Sequence, residues 1–284
     1  MTAPFIAVRH ASYTYPGGRL ALHDITLDLG PGEFVALVGR NGCGKSTFCR
    51  LLNGLLLPNP GVVTVAGIDT RSPGSELMVR SAVAMVFQVP DNQIVATVVE
   101  QDVAFGPENL GLPQEQLWRR VRDALELVGL WEQRERPPHL LSEGEKQRVA
   151  IAGALAMQPR CLVLDEATSM LDPAARKRVL EVAHLVNSQG TTVVWATHDM
   201  AEARQAQRII ALDHGRLAYD GSPAALFTDT ALMARLGLLP PPAAQLAAAL
   251  AARRPSFPRG LLYPEQVVQA VLEAPVASPG PLAS

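Results

Sequence analysis

The feature that most restricts this chain is an eight-residue run, Gly39-Arg40-Asn41-Gly42-Cys43-Gly44-Lys45-Ser46. It is set between an apolar stretch, Phe34 to Val38, and a helix-like one, Ser46 to Leu57. Its spacing is GxxxxGK[ST]. Glycines there let successive backbone amides converge on phosphate oxygens, and the helix that follows directs its positive end at the same point. A lysine at the seventh place reaches the β and γ phosphates, and the hydroxyl after it ligates Mg2+. A plain glycine turn has no need of that lysine, and the chain carries 22 Arg but only 3 Lys, so its position is informative. The expected ligand is a nucleotide with Mg2+. The expected cradle is Gly39, Arg40, Asn41, Gly42, Cys43, Gly44, Lys45, Ser46 and Thr47, with Ser46 on the metal.

The rest of the chain suits such a site. Runs at Phe34 to Val38, Val62 to Val65, Val83 to Phe87, Leu162 to Leu164, Thr192 to Ala196 and Ile209 to Leu212 are nearly continuous in apolarity. That pattern fits parallel strands covered on both faces, with crossover helices such as Pro173 to Ser188 between them. The class is α/β. Between Phe87 and Cys161 the pattern turns helical, with Gln114 to Val128 and Glu143 to Met157, which predicts a helical insertion near 94–157 within a domain of residues 1–239. Nine of the 23 prolines fall at or after Pro240, beside the alanine-rich run Ala243 to Ala252. This predicts an appended unit over 240–273, with helices at Ala243 to Arg253 and Pro264 to Glu273, and a disordered tail over 274–284.

Composition excludes several classes. The 284 residues are 48% hydrophobic and 18% charged, enough for a sizeable core, and the net charge of -2 provides no basic field, so nucleic acid is not an expected partner. No run approaches the roughly 18 apolar residues of a membrane span, and Met1 to His10 lacks a charged-then-apolar leader pattern, so a cytosolic chain is expected. Cys43, Cys49 and Cys161 are odd in number and without metal-ligand spacing, which fits a reducing compartment. Cys43, beside Lys45 at a helix start, is expected to be a reactive thiolate shielded by bound nucleotide.

A second acidic signal is Cys161-Leu-Val-Leu-Asp165-Glu166, an apolar strand ending in two carboxylates. Asp165 is placed to hold Mg2+ through water and Glu166 to polarise the attacking water. Shortly before it, Leu141-Ser142-Glu143-Gly144-Glu145-Lys146-Gln147-Arg148 resembles the signature motif of ATP-binding cassette (ABC) ATPases. The resemblance covers about residues 5–235 and orders the remaining motifs. Gln88 matches the Q-loop glutamine, which touches metal and water. Ser169-Met-Leu-Asp172 matches the D-loop, His198 the switch histidine, and Tyr15 the aromatic that stacks on adenine.

The resemblance implies a P-loop NTPase (RecA-like) core with an N-terminal antiparallel β subdomain, an inserted helical signature subdomain and a small C-terminal helical extension. It also implies a head-to-tail pair of ATPase subunits in which Ser142 and the amide of Gly144 bind the opposite subunit's ATP, and Asp172 bridges between subunits. Local alternatives stand beside these roles: Tyr13 competes with Tyr15 for adenine, Ser142 is an ordinary helix cap, and Asp172 caps the helix that opens at Pro173.

Within that family, Phe87-Gln88-Val-Pro90-Asp91-Asn92-Gln93 and Asp102-Val-Ala-Phe105-Gly106-Pro107-Glu108-Asn109-Leu110-Gly111-Leu112 resemble energy-coupling factor (ECF) ATPases and the cobalt and nickel importers. In that group the C-terminal extension supports ATPase pairing. The implied partners are a second ABC ATPase subunit (homodimer or paralogous heterodimer), a transmembrane scaffold subunit facing Gln88 to Leu112, and a substrate-binding membrane subunit. The implied place is peripheral, on the cytoplasmic side of the cell membrane, with a vitamin or transition-metal ion as cargo. Competing readings are a soluble ABC ATPase acting on DNA, ribosomes or an iron-sulfur scaffold, and a nucleotide-binding regulator without turnover, which Glu166 and the complete phosphate loop disfavour. One departure carries its own expectation. The family's Leu-Ser-Gly-Gly-Gln has Glu143 and Glu145 at its third and fifth places here, and two carboxylates beside a phosphate would weaken the site that this signature completes.

Overall fold

The computed structural model describes residues 3–273. Two sheets share one helix between them. The first sheet is antiparallel, in the order β2-β1-β4-β5, built from β1 (Ile6–Thr14), β2 (Leu20–Leu29), β4 (Val62–Val65) and β5 (Ile68–Asp69). The second has the order β10-β9-β3-β8-β7-β6 and contains β3 (Phe34–Val38), β6 (Val83–Val86), β7 (Cys161–Asp165), β8 (Thr192–Ala196), β9 (Arg208–Asp213) and β10 (Arg216–Gly221). All its pairings are parallel except β10 with β9.

Every residue of β3, β6, β7 and β8 is buried, the expected result for strands covered on both faces. Alternation then divides the core. Val35 and Leu37 point to the side of α1 (Lys45–Leu52), where Phe48, Leu51 and Leu52 meet Ile6, Val8, Leu22 and Val63 of the antiparallel sheet. Phe34, Ala36 and Val38 point to the opposite side, the larger helical layer. Val62 to Val65, grouped in sequence with the parallel strands, belongs instead to the antiparallel sheet, where it pairs with β1 and buries only alternate residues. Helix α1 stops at Leu52 rather than Leu57, because Asn53 caps it and Gly54 takes a left-handed backbone (φ 69°).

After α2 (Glu76–Ala82), three helices fill the interval between β6 and β7: α3 (Val99–Asn109), α4 (Gln114–Leu127) and α5 (Glu143–Ala156). Pro107 sits in the last turn of α3, and this helix was not legible as one in the sequence. The chain returns through α6 (Pro173–Ser188), α7 (Met200–Ala203), α8 (Pro223–Thr228) and α9 (Thr230–Leu236), the last closed by Gly237 (φ 62°).

Helices α10 (Pro242–Arg253) and α11 (Pro264–Glu273) form a small cluster of their own, in which Ala243, Ala247 and Ala251, one face of α10, pack with Phe257 and Val267. Arg204 Nη1 donates to the Leu262 carbonyl (2.8 Å), and its guanidinium lies 4.8 Å from the Tyr263 ring centroid, which ties this unit to the end of α7. The tail expected over 274–284 lies outside the described residues. Among the described residues, no helix is long and apolar enough to cross a membrane.

Candidate nucleotide site

Four loops leave the carboxyl ends of adjacent parallel strands and meet above the sheet, where α/β folds gather their ligands. The glycine loop follows β3, Gln88 follows β6, Asp165 and Glu166 end β7, and His198 follows β8. Register brings the strand ends level: Leu37 and Asp165 both pair with Ala196.

The loop's glycines are required by shape. A Cβ on Gly39 (φ 146°) would collide with the Leu212 carbonyl oxygen and lie 2.6 Å from Cys43 Sγ, and one on Gly44 (φ 111°) would lie 2.8 Å from the Ala21 carbonyl oxygen. The first-turn amides of α1 have no helical acceptors, which suits a polyphosphate. Lys45 is buried: Nζ donates to the Gly39 carbonyl (2.9 Å) and pairs with Glu166 Oε1 (3.2 Å). Ser46 Oγ donates to Asp165 Oδ1 (2.9 Å). A hydroxyl and a carboxylate at that spacing are hard oxygen donors of the kind Mg2+ takes alongside phosphate and water. Burial pushes the Asp165 carboxyl up and the Glu166 charge adds to this, while the Ser46 hydrogen bond opposes it.

Glu166 adopts a left-handed backbone (φ 51°), which costs a non-glycine residue about 1–2 kcal/mol. Its amide donates to the Ala196 carbonyl (3.0 Å), so the fold holds it there. Oε2 lies 3.5 Å from both Gln88 Nε2 and His198 Nδ1, and Gln88 Nε2 also donates to Ser169 Oγ (3.2 Å). The tertiary structure thus gathers Lys45, Ser46, Gln88, Asp165, Glu166, Ser169 and His198. Gln88 and His198 remain exposed on the outer side of the row. Tyr15 O–H lies 3.1 Å from Thr47 Oγ1, with its ring edge-on to Tyr13 (centroids 4.9 Å). Tyr13 packs against the core beneath, which leaves Tyr15 as the ring beside the cradle. Arg40 and Asn41 are exposed at the rim.

The signature residues behave differently. Ser142 caps α5 in a reciprocal capping box: its hydroxyl accepts from the Glu145 amide (3.3 Å), while Glu145 Oε2 accepts from the Ser142 amide and hydroxyl (both 2.8 Å). Those bonds, the backbone one first, hold the Glu145 carboxyl below its usual range. Gly144 approaches α6 so closely that a Cβ would lie 2.9 Å from that of Ala175. Asp172 Oδ1 accepts from the Ala174 and Ala175 amides (2.8 and 2.9 Å), so within the chain it is the N-cap of α6. None of Ser142, Gly144 and Asp172 hydrogen-bonds to the gathered cluster.

Two expectations change. Glu143, half exposed, pairs with Lys146 (3.0 Å) and is thereby directed along the helix. Cys43 is buried, and desolvation raises its thiol against the opposing pull of Lys45, so it is not a ready thiolate. Sequence reading also missed what holds the Gln88 loop. Lys146 Nζ pairs with Asp91 (2.9 Å), and Gln147 Nε2 donates to the Phe87 carbonyl (3.1 Å), which ties α5 to that loop. Lys146 is one of only three lysines, a scarcity that marked Lys45 and would have marked this residue too.

The family model described as ABC transporter matches residues 22–169. The energy-coupling factor transporter ATP-binding protein EcfA1 of Symbiobacterium thermophilum is 51% identical over 282 residues, 96% of this chain and 98% of its own length. The protein of the same name from Caldanaerobacter subterraneus subsp. tengcongensis is 43% identical over 93% of this chain and 97% of its own. Among solved structures, cbiO1 from Clostridium perfringens, described as part of the ABC transporter complex cbiONQ, superposes with a TM-score of 0.75. It is 32% identical and covers 89% of this chain and 97% of its own. The dimeric post-hydrolysis cassette MJ0796 bound to ADP and Pi gives 0.71 at 29% identity, over 77% and 98%.

Proposed function

The chain belongs to the ABC transporter family, and from that premise we propose how it works as the ATP-binding and ATP-hydrolysing subunit of an ECF-type importer. The observation that carries the reading is the convergence of Lys45, Ser46, Asp165 and Glu166 at one end of the parallel sheet. The Lys45 ammonium has two claimants, Glu166 and an incoming γ-phosphate. Phosphate binding would draw Lys45 away and free Glu166 to accept a proton from the attacking water. Gln88 and His198, both within 3.5 Å of Glu166 Oε2, would orient that water and the phosphate. Mg2+, held by Ser46 and by Asp165 through water, would neutralise charge on the phosphates. Arg40, Asn41, Gly42, Cys43, Gly44 and Thr47 would contribute loop contacts, and Tyr15 the surface for adenine.

The exposed side of the Gln88–Glu166–His198 row calls for a cover that excludes water. A second ATPase subunit, identical or paralogous, would provide it by presenting its Ser142-type signature head to tail. The ADP- and Pi-bound dimer of the structural relative supports that pairing. On the other flank, a groove of about 620 Å³ runs between α2, α3 and α5, with Leu55, Leu77, Val95 and Phe105 exposed at its edge. It is apolar enough to seat a segment of the membrane scaffold, which would place the chain peripherally at the cytoplasmic face, with a separate membrane subunit binding the vitamin or metal ion. The test is steady-state ATPase activity of the chain co-purified with the polytopic membrane subunits that it captures from its native membranes. Turnover that depends on those subunits and on Glu166 is the expected result. A chain that binds Mg-ATP without turnover in that complex would leave only the regulator reading.

A further inference from the structure

Beside the nucleotide cluster lies a further carboxylate that none of the motifs above employs. Glu202, on the short helix α7 four residues after His198, is 5% exposed and accepts three hydrogen bonds, two from separate loops and one from strand β8. Oε1 takes one from Thr168 Oγ1 (2.8 Å), and Oε2 takes two, from Thr197 Oγ1 (2.6 Å) and Trp195 Nε1 (3.1 Å). Arg176 of α6 lies behind it, with Nε 3.7 Å from Oε1 and Nη1 donating to Asp199 (2.9 Å).

The placement of these donors gives the arrangement its meaning. Thr168 stands two residues after Glu166, in the tight turn where the Ser169 amide donates to the Glu166 carbonyl (3.1 Å). Thr197 immediately precedes His198, and its hydroxyl also accepts from the Asp199 amide (3.0 Å), so the backbone is held on both sides of the histidine. One buried carboxylate therefore bridges the turn carrying Glu166 and the loop carrying His198, two segments separated by α6 in the chain. A core position could have been filled by an apolar side chain. A carboxylate buried here is tolerated because each oxygen is matched by a donor, and such networks impose geometry more than they add stability.

We propose that Glu202 is a positioning residue for ATP hydrolysis, clamping Thr168 to Thr197 so that Glu166 and His198 keep their mutual distance when the γ-phosphate is engaged. It touches neither nucleotide nor water and acts only through those two loops. The proposal rests on the ATPase reading above.

The discriminating variants are Glu202→Met, Thr168→Val, these two combined, and Glu202→Gln, each in the full chain assembled with its partners and assayed well below its melting temperature. Glu202→Met keeps the volume but leaves no acceptor for Thr168, Thr197 or Trp195. Glu202→Gln keeps the bridge, because its amide N–H can donate to the Thr168 hydroxyl and its carbonyl oxygen can accept from Thr197 and Trp195, so it should stay within about twofold of wild-type kcat. Glu202→Met and Thr168→Val are each expected to lower kcat by about tenfold, a loss of the size a small misplacement produces, with KM for ATP nearly unchanged. Because both break the same bridge, their combination should also be about tenfold down rather than a hundredfold. Wild-type kcat in Glu202→Met, an equal loss in Glu202→Gln, or multiplicative losses in the double variant would each overturn the clamp. An inactive wild-type complex would instead overturn the ATPase reading on which the clamp rests, so the two failures are told apart by the wild type alone.

Discussion

The two halves of the nucleotide site use similar residues in opposite ways. In the phosphate-loop half, polar groups find partners far away in sequence: Ser46 and Asp165 meet across 119 residues, and Lys45 meets Glu166 from the same two segments. In the signature half, Ser142, Glu145 and Asp172 are satisfied by amides or hydroxyls two or three residues off. The first half is thus assembled by the chain's own tertiary fold. The second is a pair of capped, outward-facing helix starts, which on the reading proposed above would meet phosphate on another subunit. A single chain should bind nucleotide; two should be needed to turn it over.

The largest effects belong to the assembled half. Lys45→Ala is expected to reduce ATP affinity by about a hundredfold or more, while Glu166→Gln keeps affinity and lowers turnover by about 10²–10³. Equilibrium binding and steady-state ATPase assays separate the two, and wild-type turnover in Glu166→Gln would remove that residue from its role. In the signature half, Ser142→Ala should leave ATP binding by the isolated chain intact. It should slow turnover of the paired subunits and lower the melting temperature by a few degrees, since a lost serine cap costs about 1 kcal/mol. Weakened binding in the isolated chain would show that the halves are not separate in this way.

Two smaller effects follow from charge placement. Cys43, buried and raised, should react with iodoacetamide more slowly than in the unfolded chain, once Cys49 and Cys161 are replaced. Equal rates would restore the exposed thiolate that the sequence suggested. Glu145 is held below its unfolded value by Ser142, so its contribution to stability is present above the unfolded pKa and fades as pH falls through the lower folded one. Glu145→Gln should therefore lower the melting temperature most at pH 7, where the bond to the ionised carboxylate is fully present, and by less below about pH 4.5, a range set by ordinary glutamate behaviour, so that the acid limb flattens. An unaltered acid limb would mean the capping carboxylate is not what titrates there.

The smallest effect expected is that of Glu143→Gly. Because Lys146 already holds that carboxylate, ATPase activity of the complex should change by no more than about twofold, as for other exposed ion pairs. A large rise would revive the weakened site that two acidic residues in the signature suggested.

Much of this site was legible because its motifs are local. The phosphate loop, the acidic end of β7 and the signature each place their residues within a few positions of a strand or helix terminus, and such runs carry their chemistry in their spacing. Tertiary choices were harder to read. Val62 to Val65 looked like its parallel neighbours, since apolarity does not report pairing direction. The sheet β2-β1 was not marked by runs, because its strands alternate buried and exposed positions around bulges. Glu202 gave no signal at all, for an acid four residues past a histidine is unremarkable until Thr168 and Trp195 are seen to donate to it.

The sequence by itself determined the family, the α/β class and most of the residues that gather at the carboxyl ends of the parallel strands, because backbone geometry at a glycine loop and a strand end is a local matter. Only the tertiary structure decided that Lys45 pairs with Glu166, that Asp172 and Ser142 spend their oxygens on helix caps, that Cys43 is closed to solvent, and that a buried carboxylate joins the two loops beside the reacting centre. Each of those outcomes depends on what lies across a gap in space, and burial, which sets the cost of every charge and every unpaired polar atom, exists only once the elements have packed.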